Sequence, residues 1–214
     1  MDDYTEPHWG AAALVVIDLQ RDFLDEGASP VPGTSSVVPN VIELARAFRS
    51  AGRPIVHVVR LYEPGGSDVD LPRRRAVEEG ARLVVPGSSG AEPADGVLPP
   101  AVSLDSALLA EGRLQHVGSR EVILFKPRWS AFHRTQLEEW LHGEGCDTVL
   151  VAGCNLPNCP RATLFDASER DFRTALATDA VSQTSDERLA DLARIGVRLY
   201  STARVVAALS AVNR

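Results

Sequence analysis

The sequence of 214 residues has no long hydrophobic stretch, and its longest uncharged apolar run, Ala11 to Ile17, stops at Asp18. That falls far short of the ~20 residues a bilayer-spanning helix needs, so no membrane segment is expected. The first ten residues carry Asp2, Asp3 and Glu6 and lack the basic start and apolar core of a secretion signal. A cytoplasmic location is therefore the expectation. Cysteine is scarce: Cys146, Cys154 and Cys159 are an odd number, a poor basis for a disulfide framework. Positive charge is in deficit, with 22 Lys and Arg against 29 Asp and Glu, net -7. A chain so charged repels polyphosphate, which argues against general nucleic-acid binding. There is no internal repeat and no low-complexity tract. What remains is ordinary globular material, 44% hydrophobic and 24% charged, read as one domain over 1–214 with a long irregular insertion at about 61–105.

Apolar β-branched runs mark strands at Ala11–Leu19, Pro54–Arg60, Glu121–Phe125, Thr148–Ala152, Arg173–Thr178 and Val197–Tyr200. Helices are read between them. Pro39–Ala51 places Val41, Leu44, Ala45 and Phe48 on one face, with Pro39 in the first turn and Gly52 past the end. Thr135 with Glu138, and Thr184 with Glu187, have capping-box spacing. Further helices are expected near Arg73–Glu79, over Pro157–Asp171 and from Thr202 to Val212. This alternation implies an α/β three-layer sandwich around a mainly parallel, six-stranded sheet. Ligands of such sheets bind beyond the carboxyl ends of the strands.

Asp18, Arg60, Lys126 and the segment Gly153–Cys159 stand at those ends. Cys159 precedes Pro160, so its sulfur is expected at a helix start, where unpaired amides and the helix dipole favour thiolate. A nearby lysine stabilises that anion, and Asp18 can take the sulfur proton and return it to a leaving amine. The turn from Cys154 to Cys159 can aim the N–H groups of Asn155 and Cys159 at an oxyanion. Each residue has a plainer reading too: Asp18 as a turn former, Lys126 as a solvated cation, Cys159 as packing.

Three segments, VVIDLQRDFL at 15–24, FKPRWSAF at 125–132 and GCNLPNCPRATLFDASERDF at 153–172, resemble the signatures of the isochorismatase-like cysteine hydrolases, the family of nicotinamidases and N-carbamoylsarcosine amidohydrolases. The resemblance runs from about residue 11 to 205. It implies Asp18 as general base, Lys126 as thiolate-stabilising lysine and Cys159 as nucleophile, a cis peptide between Cys154 and Asn155, and a homodimer or homotetramer. One departure stands out. Nicotinamidases carry an Asp-x-His pattern and a further His after the second strand, where this chain reads HVVRLYEPGGSDVD from His57. No metal and no other cofactor is expected, His57 is read as core or interface, and nicotinamide becomes a weaker substrate. Relatives that cleave the vinyl ether of isochorismate lack the cysteine, so Cys159 points to C–N hydrolysis of a small amide, carbamoyl or ureido compound through a thioester.

Other residues keep open readings. Phe23, Trp129 and Phe132 form either an apolar pocket or core. Arg60 pairs with a substrate oxygen or a structural carboxylate. Cys154 lines the site or packs, its spacing from Cys159 not being the C-x-x-C of redox pairs. Arg73, Arg74 and Arg75 read as a solvated run or a subunit contact. A non-catalytic binding or scaffold role on the same fold is the alternative function. A flavodoxin-like redox protein needs a phosphate cradle after the first strand, and LQRDFLDEG offers none.

Overall fold

The computed structural model describes residues 3–66 and 68–212; Met1 and Asp2, the chain end at 213–214, and Ser67 within the insertion lie outside the described residues. The strands are β1 (Ala12–Ile17), β2 (Ile55–Val59), β3 (Gln115–Gly118), β4 (Glu121–Phe125), β5 (Thr148–Gly153), β6 (Arg173–Val181) and β7 (Arg198–Tyr200). They form one sheet in the order β3-β4-β2-β1-β5-β6-β7, parallel throughout except for the antiparallel pair of β3 with β4. The sheet therefore has seven strands and not the expected six. Gln115–Gly118 is a short, half-exposed edge strand with no apolar run to betray it.

The helices are α1 (Thr34–Ser50), α2 (Leu71–Glu78), α3 (Ser106–Ala110), α4 (Leu137–Gly143), α5 (Cys159–Ser168), α6 (Asp186–Arg194) and α7 (Thr202–Val212). Every residue of β1 is buried, and its side chains alternate between two cores. Ala13, Val15 and Ile17 pack with Leu141 of α4, Leu164 of α5 and Leu192 of α6. Ala12, Leu14 and Val16 pack with Leu44 and Phe48 of α1 and Val205 and Leu209 of α7. These are the outer layers of an α/β/α sandwich. The insertion builds a third cluster, with Tyr62, Val69, Val77 and Val84 against Phe23, Ile123 and Cys154.

Local signals were partly displaced. Helix α1 begins at Thr34, five residues before Pro39, which lies inside it. Neither capping box forms: Thr135 Oγ1 donates to the Ala131 carbonyl (2.6 Å), and α4 starts at Leu137 with no side-chain cap. At α6 it is Ser185, not Thr184, whose hydroxyl accepts from Arg188 N (3.3 Å).

Strand β1 is flanked by β2 on one side and β5 on the other, and the chain leaves it in opposite directions. This is the switch point where a crevice opens at the carboxyl ends. Gly153 closes β5 there at φ +113°, and a Cβ on it would stand 2.1 Å from the Ile17 carbonyl oxygen. Only glycine lets the two backbones approach so closely.

Candidate active site

Asp18 follows β1 in the left-handed region, at φ 49°, a conformation that costs a non-glycine residue energy. Its Oδ2 accepts from Lys126 Nζ at 2.8 Å and lies 3.3 Å from Arg60 Nε. Cys159 is the first residue of α5, and its Sγ receives Arg60 Nη2 at 3.2 Å. The ends of β1, β2 and β4 and the start of α5 thus gather Asp18, Arg60, Lys126 and Cys159 into one cluster. All four are buried, with Lys126 at 0% exposure and Arg60 at 1%. Asp18 Oδ1 is buried without a hydrogen-bond partner beside the Cys159 thiol.

The electrostatics correct one expectation. Burial alone would raise the Asp18 carboxyl, but the charges of Lys126 and Arg60 outweigh it and hold Asp18 below the ordinary carboxylate range. For Cys159, burial and then the Asp18 charge push the thiol up, and Lys126 and Arg60 do not overcome them. The resting sulfur is therefore a neutral thiol beside a carboxylate base, not the standing thiolate that the helix start favoured. Burial and a like charge outweigh the dipole.

The segment before Cys159 supplies donors. The Cys154–Asn155 peptide is cis. Cys154 N is spent on the Ile17 carbonyl and Leu156 N on that of Ser182, whereas among the described residues the Asn155 and Cys159 N–H groups have no acceptor. Cys154 itself faces α1, where Thr34 Oγ1 donates to its sulfur (3.4 Å), and burial pushes its thiol up to about 12.

Three residues that sequence reasoning missed complete the surroundings. Gln20 holds Arg60 in place: its Nε2 donates to the Arg60 carbonyl (2.8 Å) and its Oε1 accepts from Arg60 N (2.8 Å). Tyr62 and Asp70, from the insertion, bond Arg60 Nη1 at 2.8 and 3.0 Å. No periodicity marks this stretch, so only proximity to Arg60 in sequence hinted at them. Lys126 had a signal that went unread, being the single lysine among 22 Lys and Arg.

Other expectations shift. Arg73 is drawn onto Asp70 (2.9 Å) instead of being solvated, and Arg74 onto the Val69 carbonyl, while Arg75 stays exposed beside Glu79. The three aromatics do not share a pocket. Phe23 lies in the cluster under the insertion, Phe132 packs on Phe172 at 5.8 Å between ring centroids, and Trp129 is 37% exposed. Trp129 walls a cavity of about 380 Å³ together with Asp70, Leu71, Pro72 and His133. A larger cleft, of about 600 Å³ around Arg21 and Asp95, shares no residue with the cysteine cluster.

The residues do not fit a metal. Among the described residues no group of three His, Cys, Asp or Glu side chains converges. His57 is buried in β2, and its Nε2 lies 2.6 Å from Glu121 Oε1, in a network completed by Arg49.

Comparison with known proteins agrees with this architecture. A probable inactive nicotinamidase of Arabidopsis thaliana is 34% identical over 197 residues, covering 89% of this chain and 92% of that protein. Maleamate amidohydrolase of Pseudomonas putida is 31% identical over 183 residues, covering 84% and 76%. The crystal structure of an isochorismatase family protein from Desulfovibrio vulgaris superposes with a TM-score of 0.79 at 31% identity, covering 94% of this chain and 98% of that one. The isochorismatase domain model matches residues 12–207, and the chain belongs to the isochorismatase family.

Proposed function

We propose that the protein is a cysteine-dependent hydrolase of a small non-peptide amide, carbamoyl or ureido C–N bond. The observation that carries this reading is the buried contact of Asp18 with Lys126 at 2.8 Å, with Arg60 reaching both Asp18 Oδ2 at 3.3 Å and Cys159 Sγ at 3.2 Å. Asp18 takes the proton from sulfur as Sγ attacks the carbonyl carbon. The N–H groups of Asn155 and Cys159 hold the oxyanion, and Lys126 keeps Asp18 in its basic form. Collapse breaks the C–N bond, and the proton on Asp18 passes to the departing amine. Water then attacks the thioester, giving one proton to Asp18. The C–S bond breaks, and that proton returns to sulfur. No step calls for a metal.

The test is release of ammonia or amine from a panel of small amides, with intact mass read for an acyl adduct. Cys159→Ala protein should show neither. Turnover retained in that variant removes the mechanism.

The second reading, a non-catalytic binding protein, rests on Arg60 seated on the sulfur and on the relative described as probably inactive. It requires that wild-type protein turn over none of the panel while binding one of its members.

A further inference from the structure

Away from the cysteine crevice, a cavity of about 410 Å³ lies between the last turns of α1 and the irregular segment 92–102. Its volume is that of a small-molecule site. Three arginines enter its lining: Arg46 and Arg49, three residues apart and so on one face of α1, and Arg21 from the turn after β1. Each has donors to spare. Arg46 has no acceptor among the described residues. Arg49 gives Nε and Nη2 to Glu121 at 2.9 and 2.7 Å, and Nη2 also to the Val97 carbonyl at 2.6 Å, which leaves Nη1 without an acceptor among the described residues. Arg21 holds Asp95 at 2.7 Å, but the Asp95 side chain is 90% exposed, and an ion pair so open to water contributes little. The other carboxylate of the lining, Glu92, has both oxygens on Leu104 N at 3.2 Å. The remaining wall is apolar and includes Leu98, Pro99, Pro100 and Val102. Forked cations beside an apolar wall are suited to an anion with an organic body.

The same wall is stitched to the reactive cluster. Arg21 N donates to the Glu92 carbonyl at 2.9 Å, and Ala94 N to that of Leu19 at 2.8 Å. Between them the fully buried Gln20 donates Nε2 to the Ala91 carbonyl at 2.7 Å and to the Arg60 carbonyl at 2.8 Å. Arg60 Nη2 in turn lies 3.2 Å from Cys159 Sγ. We infer that the cavity is an effector site for a small organic phosphate. The phosphate oxygens take the free donors of Arg46 and Arg49 and draw Arg21 from Asp95, while the organic body lies along Leu98–Val102. The bound anion ties α1, the turn after β1 and segment 92–102 to one another. Local openings that part Gln20 from Arg60 and uncover Cys159 then become rarer. The site does not depend on whether Cys159 cleaves an amide.

Phenyl phosphate is the probe, with inorganic phosphate and phenol as its two halves. In calorimetry it should bind wild-type protein at one site, about tenfold or more tighter than either half. Arg46→Ala should weaken that binding about tenfold or more. Arg75→Ala, which removes an equal charge at an exposed position of α2, should leave it unchanged. On binding, amide exchange should slow across 92–102. With the probe saturating, iodoacetamide labelling of Cys159 should slow about fivefold or more in wild-type protein and stay the same in Arg46→Ala. Arg46→Gln repeats the comparison should the alanine variant fail to fold. Absence of binding, or binding that neither Arg46 variant weakens, overturns the inference. So does protection at 125–132 and 153–159 in place of 92–102, which would put the phosphate in the cysteine crevice. Binding at 92–102 with labelling unchanged overturns the effector role. None of these readouts is amide turnover, so a failure of the hydrolase reading leaves them standing, and their failure leaves that reading untouched.

Discussion

Replacing Asp18 by Asn should make Cys159 more reactive toward an alkylating agent while abolishing hydrolysis. Asn keeps an oxygen for Lys126 Nζ, now 2.8 Å from Asp18 Oδ2, but removes the negative charge that, after burial, most raises the thiol. Burial still raises the thiol, but Lys126 and Arg60 then act on the sulfur without the opposing Asp18 charge. Two unit charges in contact at an effective dielectric near 20 interact by about 4 kcal/mol. Retaining only a third of that, because the two cations already offset part of the Asp18 charge, leaves about 1.4 kcal/mol in favour of the thiolate, a tenfold gain in its population at pH 7. The assay is the rate of iodoacetamide labelling read by intact mass, with Cys159→Ala as the blank for the other two cysteines. Access to the buried sulfur limits both proteins alike, so the ratio reports ionisation. Wild-type labelling should be slow at pH 7 and still climbing at pH 9. The Asn variant should label about tenfold faster at pH 7, and its amide turnover should fall about 10²- to 10⁴-fold for want of a base. Equal or slower labelling in the Asn variant would refute the account of the resting thiol.

Three other outcomes are expected. Gly153→Ala forces a Cβ to 2.1 Å from the Ile17 carbonyl at φ +113°, and should cost more than about 2 kcal/mol in urea unfolding; a loss under half of that contradicts the close approach. Burial would raise Glu121, but the hydrogen bonds from Arg49 and His57 lower it to about 2 from 4.5, so its contribution of about 3 kcal/mol is complete above pH 5 and is lost as pH falls from 4.5 toward 2. Chemical unfolding in that window should show a shallower pH slope in Glu121→Gln, and an unchanged slope would exclude Glu121 as the source. Phe48→Ala opens a void in the fully buried face of α1 and should cost about 3–5 kcal/mol in the same measurement, with labelling of Cys159 left alone; a loss below 1 kcal/mol would mean that the core has collapsed around it.

The strand ends were legible because a two-faced parallel sheet writes its strands as continuous apolar runs. Asp18, Lys126 and the segment before Cys159 could be placed from that pattern alone. Strand β3 escaped because QHVG has neither length nor alternating apolar character, and the start of α1 because Pro39 imitates a first turn. Tyr62 and Asp70 come from chain without periodicity, held by polar contacts whose partners are distant in sequence, so nothing local announces them. The ionisation of Cys159 was misjudged for a related reason. A helix start is visible in sequence, whereas burial and an opposing carboxylate arise only when the strands are assembled.

Pro39 has a bearing on how strain moves through the molecule. Having no N–H, it cannot bond the Ser35 carbonyl, so the ladder of α1 is interrupted after its first turn. That turn is fastened elsewhere: Thr34 Oγ1 lies within hydrogen-bond distance of Cys154 Sγ at 3.4 Å and of Ser182 Oγ at 3.1 Å. Through Thr34 the first turn touches the loop that precedes the nucleophile, while Val37 packs in the same core as Val41, Leu44 and Phe48. The missing bond at Pro39 lies between those two attachments, and amide exchange should change abruptly at residue 39 instead of grading along the helix.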